Sequence, residues 1–190
     1  MSLPISTARL VLRPLRRTDL AAFLSYRSDP EVARYQSWED ISRAAATAFL
    51  RAQAKPSLSA PGVWQQIGIA RVSTDQLIGD IGLLLREDGR SAEMGFTVAR
   101  EHQGIGLARE ALTGLFGVLL SRQTLERLDA VIDARNVRAL RLVERLGFEL
   151  RSSAEVLFKG APCTEHTLTL SRAAWAASQA VAAHARGGRA

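Results

Sequence analysis

The chain has 190 residues, 47% hydrophobic and 23% charged, a composition that fills one packed core and excludes a disordered polymer. Its formal net charge is +6, yet the basic residues are scattered from Arg9 to Arg189 without a block and without a nucleic-acid motif, so direct nucleic-acid binding is not expected. No apolar run reaches the ~18–20 residues of a bilayer span, Met1-Ser2-Leu3-Pro4 shows no secretory leader, and the lone Cys163 joins no metal-spaced cluster, so a reduced, cytoplasmic, metal-free protein is expected.

In chain order, Thr7 to Pro14 alternates with Leu10 and Leu12 on one face and reads as a first strand. Asp19 is placed to cap a helix carrying Leu20, Phe23 and Leu24, which must end before Asp29-Pro30. A second helix is predicted from about Asp40 to Lys55, followed by a loop from Pro56 to Gly62. Val63 to Val72, Gln76 to Leu85 and Ser91 to Val98 read as three antiparallel strands, turning at Ser73-Thr74-Asp75 and Asp88-Gly89. Ala108, Ala111, Leu112, Leu115, Phe116 and Leu119 then make a helical stripe. Leu125 to Ile132 is a short buried strand, and Asn136 caps a helix whose Ala139, Leu142, Val143 and Leu146 share a face. Gly147 supplies a left-handed stop, Phe148 opens another strand, and Ser153 to Lys159 and Thr164 to Ser171 are further strand candidates. Residues 1–175 make one domain; 176–190 form an Ala/Arg/Gly-rich tail, helical at its start and partly frayed.

The chemistry concentrates between the strand ending at Val98 and the helix that follows. Gly104 and Gly106 let the backbone approach a ligand, and the first free N–H groups of the helix point at it, an arrangement suited to phosphates. There is no Gly-Lys-Ser/Thr, and Arg109 stands where a dinucleotide loop needs its third glycine. The remaining pattern, Gln103-x-x-Gly106-x-Ala108, resembles the Q/R-x-x-G-x-G/A pyrophosphate loop of the GCN5-related N-acetyltransferases (GNAT). About 30 residues on, Asn136-Val-Arg-Ala139-Leu-Arg-Leu142-Val143-Glu144-Arg145-Leu-Gly147-Phe148 resembles that family's N-x-x-A/S-x-x-L-x-E-K/R-x-G-F segment. Thr7-Ala-Arg9-Leu10-Val-Leu12-Arg13 is similar to the opening of its ribosomal-protein N-terminal acetyltransferase (RimJ/RimL-type) branch.

The resemblance, which covers roughly residues 7 to 175, implies a mixed α/β (α+β) fold. Its twisted, mostly antiparallel sheet is flanked by helices, and the fourth and fifth strands splay apart. It implies acetyl-CoA as cosubstrate and direct acetyl transfer to a primary amine, a protein N-terminal amine by the first-strand motif. The alternatives are an aminoglycoside, polyamine or amino-acid acceptor, or a non-catalytic acyl-CoA-binding sensor or partner module. Gln103, Gly104, Ile105, Gly106, Leu107 and Ala108 should hold the pyrophosphate, and Val98 should pair with the pantetheine arm. A backbone N–H near Val98 or Ala99 should face the developing oxyanion. Asn136 is either a further cofactor contact or a plain helix cap.

An amine must be neutral to attack, and an α-amine of pKa about 7.7–8.0 reaches that state far more readily than lysine at about 10.4. Glu93, matching the family's strand-four glutamate, is the candidate general base, although its parity turns it away from Met94, Phe96 and Val98. The acceptor pocket is expected from residues 29–40 and the loops around Pro61 and Gly160, with Tyr35 and Trp38 as an aromatic wall. Trp64 and Trp175 read as packing residues, and His102, His166 and Cys163 lack a nucleophile motif. Val143 occupies the position where many relatives carry a proton-donating tyrosine, so no general acid is assigned. Oligomeric state is not written in the sequence.

Overall fold

A computed structural model describes residues 3–38, 41–121 and 124–187, with side chains through residue 181. Eight strands form one sheet in the order β1-β2-β3-β4-β5-β6-β8-β7. They are β1 (Ile5–Ser6), β2 (Leu10–Pro14), β3 (Gln65–Arg71), β4 (Leu77–Leu85), β5 (Ser91–Val98), β6 (Arg127–Asp133), β7 (Glu149–Phe158) and β8 (Ala161–Ser171). Every adjacent pair is antiparallel except β5 and β6. The two-residue β1 shifts the count, so the pair expected to splay is β5 and β6.

The helices are α1 (Leu20–Arg27), α2 (Pro30–Ala33), α3 (Arg43–Ala52), α4 (Leu107–Leu119), α5 (Val137–Arg145) and α6 (Arg172–Gly187). Asp29-Pro30 stops α1, as expected, and also starts α2. Proline fits the first helical position, and the Asp29 side chain accepts from Glu31 N at 2.9 Å. The predicted second helix is shorter than 40–55, because Ser42 caps α3 by accepting from Ala45 N at 3.2 Å; residues 39 and 40 lie outside those described. Asp19 does not cap α1 with its side chain. Its carboxylate instead takes the buried Arg13 guanidinium at 2.8 and 2.9 Å and the Arg16 N–H at 2.7 Å, because a buried guanidinium must find a counter-charge. The strand opened by Phe148 and the separate candidate at Ser153 to Lys159 are one continuous strand, β7, because its pairing with β8 runs from Glu149 to Phe158 with one irregularity at Leu150/Ser152. Gly147 takes φ +93°, the left-handed stop predicted for α5.

The two sheet faces carry separate cores. Met94 and Val98 of β5 join Leu107, Leu112, Leu115 and Phe116 of α4, Val143 of α5 with its C-cap Leu146, and Trp175 of α6. Phe23 and Tyr26 of α1 pack with Leu50 of α3, Leu15 and Ala99 on the other side. There Asp80 of β4, buried, accepts from the Tyr26 hydroxyl and, at 3.0 Å, from Arg27.

Candidate active site

β5 and β6 stay paired only from Ser91↔Arg127 to Glu93↔Asp129, then separate. Ala99 N donates to Ile78 O at 2.8 Å, so odd-numbered backbone groups at this end of β5 face β4 and the even-numbered ones face the opening. Two side chains cover the freed carbonyls: Gln36 Nε2 donates to Phe96 O at 3.4 Å, and Gln103 Nε2 to Val98 O at 2.8 Å. Of the two expected oxyanion donors, Ala99 is therefore committed to the sheet, and the Val98 N–H faces the splay.

At the wide end stands the glycine loop. Gly104 and Gly106 adopt φ +79° and +81°, a region other residues rarely enter, and Gln103, Gly104, Ile105 and Gly106 are exposed. Gly106 is the N-cap of α4 and brings no side chain, so the N–H groups of Leu107, Ala108 and Arg109 are left without a side-chain cap. Arg9 grips this loop from the chain before β2. Its Nε donates to Glu110 at 2.6 Å and its Nη1 to Ile105 O at 3.1 Å, while Thr7 also donates to Glu110 at 2.6 Å. Burial pushes the Glu110 carboxyl up, but the hydrogen bonds from Thr7 and Arg9 outweigh it and leave the group below its ordinary value.

At the narrow end lies Glu93, 20% exposed and paired with Arg86. Asp129 stands beside it in register, taking the Thr169 hydroxyl at 2.6 Å and Arg127 at 3.3 Å. Glu93 projects on the face opposite Met94, the parity seen in the sequence. On that face α1, with α3 packed on it, covers β4, and Gly95 leaves open space above β5, where an added Cβ would meet no described atom within 4 Å. Trp64, 41% exposed, lies over neighbouring Gly82.

A cleft of about 490 Å³ opens near the mouth of the splay, lined by Arg34, Tyr35, Arg135, Phe158, Lys159 and Ala161. It is assembled from the end of α2, the β6–α5 turn and the β7–β8 hairpin. The Tyr35 hydroxyl donates to Arg135 O at 3.3 Å, and Lys159 Nζ to Ala33 O at 3.0 Å, which ties the three together. Trp38 is elsewhere: its ring lies 3.6 Å from the Arg27 guanidinium and its indole N–H donates to Arg27 O at 3.3 Å. The Pro61 loop bridges to Leu85, away from the cleft, whereas the Gly160 turn flanks it.

An acetyltransferase (GNAT) domain model matches residues 9–149. The chain belongs to the GNAT family. This GNAT domain is 32% identical over 148 residues to the uncharacterized N-acetyltransferase p20 of Bacillus licheniformis, covering 75% of this chain and 80% of that protein. Like its named relatives, it is an N-acetyltransferase. Its fold matches a GNAT acetyltransferase from Bacillus anthracis (TM-score 0.78, 17% identity, 90% and 99% of the two chains). It also matches RimL, a ribosomal L7/L12 α-N-protein acetyltransferase in complex with coenzyme A, at TM-score 0.77 and 14% identity over 89% and 98%. Spermidine N-acetyltransferase from Vibrio cholerae, in complex with CoA and spermine, matches at TM-score 0.75 and 20% identity over 89% and 99%.

In this GNAT domain Asn136 realises its capping role, its Oδ1 accepting from Ala139 N at 3.2 Å while its amide N–H groups make no hydrogen bond to the described residues. Val143 is fully buried and contributes packing, with no proton to give. Trp175 is buried as expected, but Trp64 is substantially exposed. Sequence reasoning misses Arg9 and Arg135. Nothing local marks Arg135, whereas Arg9 lies inside the first-strand motif, and that placement is the signal that could have found it. Among the described residues no helix is long and apolar enough to cross a membrane, and no group of three potential metal ligands gathers.

Proposed function

We propose that this domain transfers the acetyl group of acetyl-CoA to a protein N-terminal amine. The observation that carries the cosubstrate is the uncapped, glycine-lined start of α4 at the open end of a splayed strand pair. The α4 N–H groups suit the pyrophosphate, and the free edge of β5 at Phe96 and Val98 suits the amide-bearing arm, Gln36 and Gln103 giving way. Acetyl-CoA supplies an activated thioester acyl group. The Val98 N–H would stabilise charge developing on the acyl oxygen. Glu93 lies five residues from Val98, roughly 16 Å along a strand, so the amine proton would reach it through a relay of several waters and not by direct contact. That distance suits an amine that is partly neutral at pH 7. The cleft, open to the surface beside Tyr35, has room for a chain end.

The test is thermal melting with acetyl-CoA, CoA and ATP, followed by coenzyme A release with peptides and polyamines. A rise in Tm with both CoA species but not ATP, and turnover of peptides in preference to spermidine, are expected. No rise at saturating CoA would make the loop a structural turn. Replacing Glu93 with Gln should lower the rate near pH 7 and spare it at pH 9, where the α-amine is already neutral. An unchanged pH–rate profile removes Glu93 as base.

A further inference from the structure

The walls of the acceptor-side cleft carry cations and aromatic rings. Arg34, Arg135 and Lys159 come from three separate elements, and the other lining residues are Tyr35, Phe158 and Ala161, none of them acidic. Three carboxylates lie close by: Glu165, paired in register with Asp133 across β6 and β8, and two held by the cleft's own cations. Asp133 is nearly buried beneath Arg135, its side chain 5% exposed and the Arg135 guanidinium 55%. Arg135 holds it with Nε at 2.9 Å and Nη2 at 2.6 Å, and that grip keeps the Asp133 carboxyl below its usual range. Glu31, outside the lining, is 3.6 Å from Arg34. Lys159 spends one N–H on Ala33 O and keeps two donors, and Arg135 keeps Nη1.

From this placement we propose that Arg34, Arg135 and Lys159 select acceptors that carry carboxylates close behind the amine, in the present reading a protein N-terminus followed by acidic residues. The chemistry is direct. A carboxylate entering the cleft meets exposed donors from three directions while Tyr35 and Phe158 flank the chain, whereas a polyamine would bring like charge to the same donors. The proposal rests on the proposed acetyl transfer, but it concerns only which acceptor is preferred.

The experiment measures kcat/KM by coenzyme A release with two peptides sharing one N-terminal serine, one continued by glutamates and one by lysines, together with glutamate amide and lysine amide as small amines. The acidic peptide should be favoured by about tenfold, mostly through KM, and the preference should shrink as salt rises. Lys159→Glu breaks no carboxylate pair and should abolish or reverse the preference, with the KM for acetyl-CoA unmoved. Arg34→Gln, at an exposed position, provides a second reading should Lys159→Glu disturb the hairpin. Equal use of both peptides, or a preference that survives both substitutions, overturns the proposal. If neither peptide reacts but the small amines do, the protein-terminus reading fails, and the glutamate-to-lysine amide ratio and its loss in Lys159→Glu still decide the cleft. If no amine reacts and CoA does not raise Tm, the transfer reading itself has failed.

Discussion

Arg9 lies against the loop proposed to hold the pyrophosphate, and its value there follows from its neighbour. Glu110 sits in the first turn of α4, where the helix dipole favours a carboxylate but a bound pyrophosphate would be repelled by it. Arg9 neutralises that charge while its Nη1 holds the Ile105 carbonyl, so one side chain both shapes the loop and makes its surroundings tolerant of anions. Replacing Arg9 with Ala should raise the KM for acetyl-CoA about tenfold with little change in kcat, the magnitude expected for removing one charge-assisted hydrogen bond at a partly exposed site. Adding Glu110→Gln should recover part of that loss, because the two residues form one pair. A lower Tm with an unaltered KM would reduce Arg9 to a fastener of the N-terminal strands.

Elements are legible in the sequence wherever a period repeats. β3, β4 and β5 fall within three residues of their predicted limits because alternation and turn residues bound them on both sides. The α5 region is legible down to Asn136 and Gly147, since caps are local chemistry. Where the structure departs from the sequence pattern, tertiary demands decide. Asp19 leaves the α1 cap for Arg13, and Trp38 stacks on the Arg27 guanidinium instead of lining the cleft beside Tyr35. The loop can be read because its glycines announce their backbone, whereas the cleft brings together residues about a hundred positions apart or more, such as Tyr35 and Arg135 or Ala33 and Lys159. At α5 the two readings of Asn136 separate by substitution. Asn136→Asp keeps the oxygen that caps Ala139 but loses the amide donors, so a rise in the KM for acetyl-CoA at unchanged Tm is expected if those donors meet the cofactor. Asn136→Ala should in addition cost about 1 kcal/mol of stability through the lost cap. An unmoved KM in both variants would leave Asn136 as a cap alone.

Over the whole molecule, stability should fail at both ends of the pH scale, for different reasons on different elements. Hydrogen bonding from Arg13 holds the Asp75 carboxyl below its ordinary value, and Arg135 does the same for Asp133. A depressed carboxyl contributes stability above its unfolded pKa, about 3.9 for Asp, and loses it as pH falls through the lower folded value. The acid limb therefore lies near and below about pH 4, in groups that pin the β3–β4 turn, the β6–α5 turn and, through Glu110, the start of α4. The alkaline limb belongs to the α1 face. Burial, reinforced by the Asp80 charge, raises the Tyr26 phenol well above 10.0. With the folded value raised, its contribution is complete below the unfolded pKa of about 10 and is lost as pH rises toward the folded value. Tyr26→Phe should then lower Tm at pH 7, because Asp80 loses a buried donor, while flattening the decline between pH 9.5 and 11. Melting curves across that range check it, since an alkaline slope identical in both proteins would assign the decline to groups other than Tyr26. The same variant leaves the β6–α5 turn untouched, so its decline in acid should parallel that of the parent.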